Sequence, residues 1–228
     1  MLRWLSSVDP AERFPPVSAA LREPNGLLAA GGDLGPQRLL AAYRRGIFPW
    51  YEQGQPILWW SPDPRSVLRP GAVKVSRSLR RSLIKGGFEL RVDSAFAAVV
   101  AGCAAPRHYG GATWITPEMA AAYTNLHRLG WAHSFESWLD GRLAGGLYGV
   151  AIGRVFFGES MFTRVTDASK VALVRMCEYL RERSFELIDC QVANAHVTSL
   201  GATTIPRAKF LAVLDEHCDP SGTPGPWR

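Results

Sequence analysis

The chain has 228 residues, 47% of them hydrophobic, and carries 26 Lys and Arg against 20 Asp and Glu. That content fills one large domain, or a domain with a smaller companion; no apolar run is long enough to cross a bilayer, and Met1 to Pro10 lacks the sustained apolar core of a secretory signal. A net charge of +6 suits either a solvated basic surface or an anionic partner, and clustering decides between them. Cys103, Cys177, Cys190 and Cys218 form no C-x-x-C pair, and the histidines are dispersed. A reduced cytoplasmic protein is therefore expected, with no disulfide scaffold and no metal.

Residues 1–62 are rich in Pro, Gly and aromatics. They hold one marked helix, with Pro36 in its first turn, Leu39, Leu40 and Tyr43 on a face and Gly46 as the stop. A small N-terminal α+β domain is expected there, ending at Ser61-Pro62-Asp63-Pro64, with 63–228 as the main domain. Next comes a helix over Ser76 to Lys85 that buries Leu79 and Leu83. It turns Arg77, Arg80, Arg81 and Lys85 outward with almost no compensating acid, which raises the odds of a phosphate-contacting surface over a merely solvated one.

Asp93 or Ser94 is expected to cap a helix carrying Phe96, Val99, Val100 and Cys103. Thr116 then caps a second that begins at Pro117 and displays Met119, Tyr123, Leu126 and Leu129. Ala132 to Leu139 and Arg142 to Ile152 read as a hairpin closed by Asp140-Gly141, a pair suited to a type I′ turn. Gly153 leads into a third strand, Val155-Phe156-Phe157. A helix over Ala168 to Arg183 follows, with Leu173, Met176, Cys177 and Leu180 as its stripe, then a strand from Leu187 to Val192 and a last helix around Ala208 to Leu214.

This order predicts an α/β fold: an α+β cap plus a GNAT-like acyltransferase domain, whose mixed sheet joins an antiparallel meander to a parallel crossover strand. Such sheets hold ligands at the carboxyl ends of their strands. Glu159, Asp189 and Gln191 fall at such ends, and Asp189 and Gln191, two apart on a strand, would share a face. From the residues alone, Asp189 is as well read as a cap for the following turn, and Gln191 as a partner for backbone groups.

Several blocks are longer and less common than these patterns. Leu21-Arg22-Glu23-Pro24-Asn25-Gly26, Arg45-Gly46-Ile47-Phe48-Pro49-Trp50, Leu58-Trp59-Trp60-Ser61-Pro62-Asp63-Pro64-Arg65, Thr113-Trp114-Ile115-Thr116, Gly158-Glu159-Ser160-Met161-Phe162 and Leu187-Ile188-Asp189-Cys190-Gln191 together resemble the leucyl/phenylalanyl-tRNA–protein transferase family, from about Phe14 to Phe210. The resemblance implies a bacterial cytoplasmic enzyme, monomeric and without a cofactor. It implies transfer of Leu, also Phe and Met, from aminoacyl-tRNA to proteins or peptides that begin with Arg or Lys, marking them for N-end-rule degradation. It assigns catalysis to Asp189 and Gln191 and the aminoacyl pocket to Trp50, Trp114, Leu147, Phe156, Met161 and Ile188. Glu159 becomes the candidate for reading the acceptor's cationic residue, and Arg77, Arg80, Arg81 and Lys85 the grip on the acceptor stem that leads to the tRNA 3′ end. Taken singly, each aromatic here is more often plain core, and Glu159 is equally an ordinary strand-end carboxylate.

Two other functions compete. An acyl-CoA-dependent GNAT N-acetyltransferase would present a Gly-rich turn to pyrophosphate, whereas Thr163 to Lys170 contains no glycine and one acid. A non-catalytic RNA-binding module would account for the basic helix and leave the polar pair on an apolar strand unexplained.

Overall fold

In the computed structural model, which describes residues 2–106, 114–218 and 225–227, the strands sort into two sheets. The first has the order β1-β2-β4-β3, from β1 (Arg3–Leu5), β2 (Leu27–Gly31), β3 (Phe48–Pro49) and β4 (Leu58–Trp60). Helix α1 (Pro36–Arg44) joins β2 to β3, with Pro at its first position and Leu39, Leu40 and Tyr43 buried. Gly46, at φ +69, turns the chain after α1; a Cβ there would stand 2.9 Å from Leu211 Cδ2 and 3.1 Å from the Phe210 ring.

The second sheet has seven strands in the order β11-β5-β10-β9-β8-β7-β6. They are β5 (Arg65–Leu68), β6 (Glu89–Val92), β7 (Ala132–Leu139), β8 (Arg142–Ile152), β9 (Val155–Thr163), β10 (Leu187–Asp189) and β11 (Thr203–Ile205). Strands β7, β8 and β9 form the expected antiparallel meander. Helix α5 (Ala168–Glu182) then carries the chain over to β10, which lies parallel to β9. The other helices are α2 (Arg77–Lys85), α3 (Phe96–Ala104), α4 (Pro117–Arg128), α6 (Ala195–Ser199) and α7 (Arg207–His217). None of the described helices is long and apolar enough to cross a membrane.

Local signals explain most of these elements. Ser76 Oγ accepts from Leu79 N–H and Thr116 Oγ1 from Met119 N–H, each satisfying a free amide of a helix start. Asp140 (φ +49) and Gly141 (φ +71) make the hairpin turn. The start of α3 differs from expectation, since neither Asp93 nor Ser94 caps it. Asp93 turns to His133 Nδ1 at 2.7 Å and Ser134 N–H at 2.8 Å, while Glu136 reaches over from β7 to accept from Ala95 N–H at 2.8 Å and from the Ser94 hydroxyl. A buried strand carboxylate needs donors, and the free amide end of a helix supplies them. Leu129 lies just past α4 and is 48% exposed, outside the expected stripe. Thr113 lies outside the described residues.

Two apolar clusters cover the faces of the larger sheet. One joins Tyr43 and Trp59 to Phe96, Val99, Met119, Tyr123, Tyr148, Phe157 and Leu187. The other packs Leu147, Phe156 and Ile188 beneath Val171, Met176 and Leu180 of α5. Neighbours along each strand alternate between them, as Leu147 with Tyr148 and Phe156 with Phe157. The first cluster takes side chains from both sheets, although every strand of the small sheet precedes Ser61 and every strand of the large one follows Pro64.

Candidate active site

The site is made where two strands part. Strand β10 pairs with β9 at Leu187↔Val155, Ile188↔Phe156 and Asp189↔Phe157 and then ends, while β9 runs on to Thr163 with β8 on its other side. The strand expected to continue to Val192 stops because Gln191 adopts φ +51. Asp189 and Gln191 are therefore not two positions on one strand face. Strand β9 is longer than expected and contains Glu159 within it. The pairing steps from Gly149↔Gly158 to Tyr148↔Ser160, leaving Glu159 as the extra residue of a β-bulge. Glu159 keeps the tyrosine face of Phe157 two residues before it, and the extra residue shifts Met161 onto the α5 face.

On the tyrosine face, Glu159 Oε1 accepts from Tyr43 Oη at 2.6 Å, and Oε2 from Tyr123 Oη at 2.7 Å; the two hydroxyls lie 2.6 Å apart. Two phenols supply two protons for three short contacts, so with Glu159 ionised one contact lacks a donor. Burial pushes the Glu159 carboxyl up to about 7; the tyrosine hydrogen bonds oppose this, the Asp189 charge adds to it and the Arg65 charge opposes it. Burial also raises the phenols of Tyr43, Tyr123 and Tyr148 well above their ordinary range, with the Glu159 charge next in effect. Tyr148 Oη is buried without a hydrogen-bond partner.

Asp189 is held differently. Arg65 donates Nε–H to Oδ1 at 2.8 Å and Nη2–H to Oδ2 at 2.7 Å, and both side chains are 0% exposed. Arg65 Nη1 also donates to Gly46 O at 3.0 Å, and its guanidinium lies 4.8 Å from the Phe48 ring and 4.6 Å from the Phe210 ring. Asp189 Oδ1 accepts a further bond from Gln191 N–H at 3.0 Å. Gln191 Nε2 is buried with no acceptor. Arg65 thus ties the turn after α1, whose Tyr43 holds Glu159, to the strand end that sets Gln191. Tyr43 and Tyr123 read in the sequence as helix-stripe residues, and their hydroxyls carry no periodic signal. Arg65 does leave one, a charge opening the otherwise uncharged strand Arg65-Ser66-Val67-Leu68.

The six apolar candidates do not share one wall. Leu147 pairs with Met161 and Phe156 with Ile188 across neighbouring strands, all on the α5 face. Trp114 packs on the opposite cluster; Trp50, 44% exposed, lies against Trp60, which joins that same cluster. Arg77, Arg80, Arg81 and Lys85 are all exposed on α2, which is tied to the start of α5 by Ser82 Oγ donating to Asp167 Oδ2 at 2.9 Å. Among the described residues, no group of three or more His, Cys, Asp or Glu is placed to hold a metal.

A meander, crossover helix and parallel strand, parted over a polar cluster, define a mixed α/β fold with a candidate site at the end of β10. The chain belongs to the leucyl/phenylalanyl-tRNA protein transferase family, whose model matches residues 67–215, while the model of that family's N-terminal domain matches residues 32–63. It is similar to the leucyl/phenylalanyl-tRNA–protein transferases of Azoarcus sp. strain BH72 (60% identical, covering 100% of this chain and 95% of that one) and of Stutzerimonas stutzeri strain A1501 (59%, covering 96% of each). The family is one of aminoacyltransferases, so the chain is an enzyme of that kind. Among solved structures, a GCN5-related N-acetyltransferase from Kribbella flavida aligns with 75% of this chain and 61% of its own, at 14% identity and a TM-score of 0.39. L-PGS from Bacillus licheniformis aligns with 80% of this chain and 57% of its own, at 9% identity and a TM-score of 0.39.

Proposed function

We propose that this enzyme, a cytoplasmic monomer, transfers Leu, and also Phe and Met, from aminoacyl-tRNA to the α-amine of proteins that begin with Arg or Lys, marking them for N-end-rule degradation. The observation that carries the proposal is the end of β10 at Asp189 beside the continuing β9, with polar groups toward one face of the sheet and two apolar cross-strand pairs on the other. An aminoacyl ester seated at that strand end would place its side chain among Leu147, Phe156, Met161 and Ile188. Its carbonyl would then lie near Gln191. Trp50 and Trp114 would border the way in.

The reaction is aminolysis. The acceptor nitrogen bonds to the ester carbonyl carbon, the bond from that carbon to the ribose oxygen breaks, and the proton shed by nitrogen ends on the leaving ribose hydroxyl. A free α-amine, with a pKa of about 7.7–8.0, is partly neutral near pH 7, so orientation is the leading demand and can supply about 7–11 kcal/mol of the barrier. Gln191 has a carbonyl to align the amine and an amide nitrogen free to bond. Asp189, committed to Arg65, contributes by fixing the Gln191 backbone and by its charge. Glu159, whose oxygens are held by Tyr43 and Tyr123, is the candidate to pair with the acceptor's cationic end. Arg77, Arg80, Arg81 and Lys85 would grip acceptor-stem phosphates without reading sequence.

The test incubates the protein with labelled Leu-tRNA and peptides beginning with Arg, Lys or Ala, with and without acetyl-CoA. Label should pass to the Arg and Lys peptides independently of acetyl-CoA, and Asp189→Ala should cut turnover far more than it weakens tRNA binding. Dependence on acetyl-CoA, transfer to the Ala peptide alone, or wild-type turnover in the variant would overturn the proposal.

A further inference from the structure

Strand β9 outlasts its neighbour. Its last pair with β10 is Phe157↔Asp189, yet β9 continues to Thr163. The chain leaving β10 turns to β5 instead, where Cys190 N–H donates to Ser66 O at 2.9 Å and Ser66 N–H to Gln191 O at 3.0 Å. Beyond that turn Val192, Ala193 and Asn194 are exposed, as is Thr163 at the end of β9.

The ladder with β8 fixes which main-chain groups lie on the edge that β10 has left. Thr163 stands opposite Gly145, and one step further Arg164 N–H donates to Ala144 O at 2.7 Å. Hydrogen-bonded and non-hydrogen-bonded pairs alternate along antiparallel strands. Phe162 with Gly146 and Ser160 with Tyr148 are therefore bonded pairs, while Met161 with Leu147 and Thr163 with Gly145 are not. The N–H and C=O of Met161 and Thr163 accordingly point away from β8. Among the described residues no hydrogen bond reaches these four groups from the other side. A row of unpaired main-chain donors and acceptors is a template for another strand.

We propose that this edge of β9 is an acceptor-binding surface, to which the first residues of the acceptor polypeptide add as an extended strand in the place that β10 vacates. This rests on the reading of the chain as a transferase to protein α-amines. The acceptor amine meets the ester beside Gln191, at the end of β10, so the residues after it run outward along β9, parallel to it and in line with β10. A residue of that strand level with Phe162 donates its N–H to Met161 O and accepts from Thr163 N–H, the pattern of a parallel pair. At about 3.3 Å per residue, Glu159 to Thr163 gives room for about four acceptor residues. Main-chain bonds are blind to side chains, so the edge holds any extended sequence while Glu159 is left to read the first residue.

Two measurements on the full chain test this. In the first, Arg-initiated peptides of increasing length accept label from Leu-tRNA, and a long one carries a single N-methyl group on each successive amide in turn. Transfer, as kcat/KM, should rise with length and level off by about five residues, where the edge ends. N-methylation should cost about tenfold, mostly in KM, at alternate positions and little between them, because each costly methyl breaks one hydrogen bond and leaves a carbonyl of β9 unpaired. In the second, the long peptide is added without tRNA and amide hydrogen exchange is followed. Met161 and Thr163 should exchange more slowly, while Phe162, already bonded to β8, should not change. Equal transfer to short and long peptides, the same cost at every methylated position, or unaltered exchange at Met161 and Thr163 would overturn the inference and leave the transferase reading intact. Protection of those two amides by Leu-tRNA in place of the peptide would assign the edge to the donor and overturn it likewise. Wild-type protein that passes no label to any unmodified Arg-initiated peptide would be the separate failure of the transferase reading, and this inference would fall with it.

Discussion

Glu159 has both carboxylate oxygens engaged by phenols, and its environment makes ionisation costly. The unfolded chain releases this proton near the ordinary value of 4.5 and the folded protein only near 7. Between those values the unfolded state binds fewer protons, so stability falls as pH rises through the window and stays lower above it. The full effect is roughly 3 kcal/mol. Glu159→Gln, which cannot ionise, should therefore gain melting temperature relative to wild type at pH 8 compared with pH 5. Equal differences at the two pH values would refute the assignment. Arg65 and Asp189 show the other regime, a buried pair with matched geometry. Arg65→Met alone should destabilise by about 3–5 kcal/mol because it leaves a buried carboxylate unpaired. The double variant Arg65→Met, Asp189→Leu should recover most of that stability in denaturant titrations and still fail to transfer. Residue types and spacing made Asp189, Gln191 and Glu159 visible as candidates, but not their partners: Tyr43, Tyr123 and Arg65 lie 116, 36 and 124 positions away from the carboxylates they bind.

Helix boundaries were legible because they depend on neighbours in the chain. Thr116 is bonded to Met119 N–H as its position before Pro117 suggested, and Thr116→Ala should lower the melting temperature by about 2–4 °C, the equivalent of roughly 1 kcal/mol in a chain of this size. A larger loss would point to its contact with Tyr51 Oη at 3.3 Å as well. Helix α2 exposes its basic side chains with Leu79 buried beneath. Reversing charge at Arg77 and Arg81 should raise KM for charged tRNA, leave kcat nearly unaltered and flatten the dependence of log affinity on log salt by about 1.4–1.8; an unchanged KM would place the tRNA surface elsewhere. The end of β10 was not legible. Cys190-Gln191-Val192 continues an apolar run, but Cys190 N–H donates to Ser66 O at 2.9 Å and Ser66 N–H to Gln191 O at 3.0 Å. That exchange with β5, together with Asp189 accepting from Gln191 N–H, turns the chain away from β9.

At the scale of the molecule, two sheets share one apolar cluster that runs from Leu39 and Tyr43 to Tyr123 and Phe157. The Pro-rich segment at Ser61 to Pro64 separates the strands without separating the core. Heating should accordingly give one calorimetric transition, and two resolved transitions would show residues 1–62 to be an independent unit. By itself the sequence determined what depends on near neighbours and on side-chain period: the helices, the Thr116 cap, the hairpin, and the order of meander, crossover helix and parallel strand. Only the tertiary structure decided where β10 stops, that Glu159 forms a bulge, and which phenols and guanidinium hold the two carboxylates. Those features arise from contacts between residues far apart in the chain, where burial and hydrogen-bond satisfaction outweigh local preference.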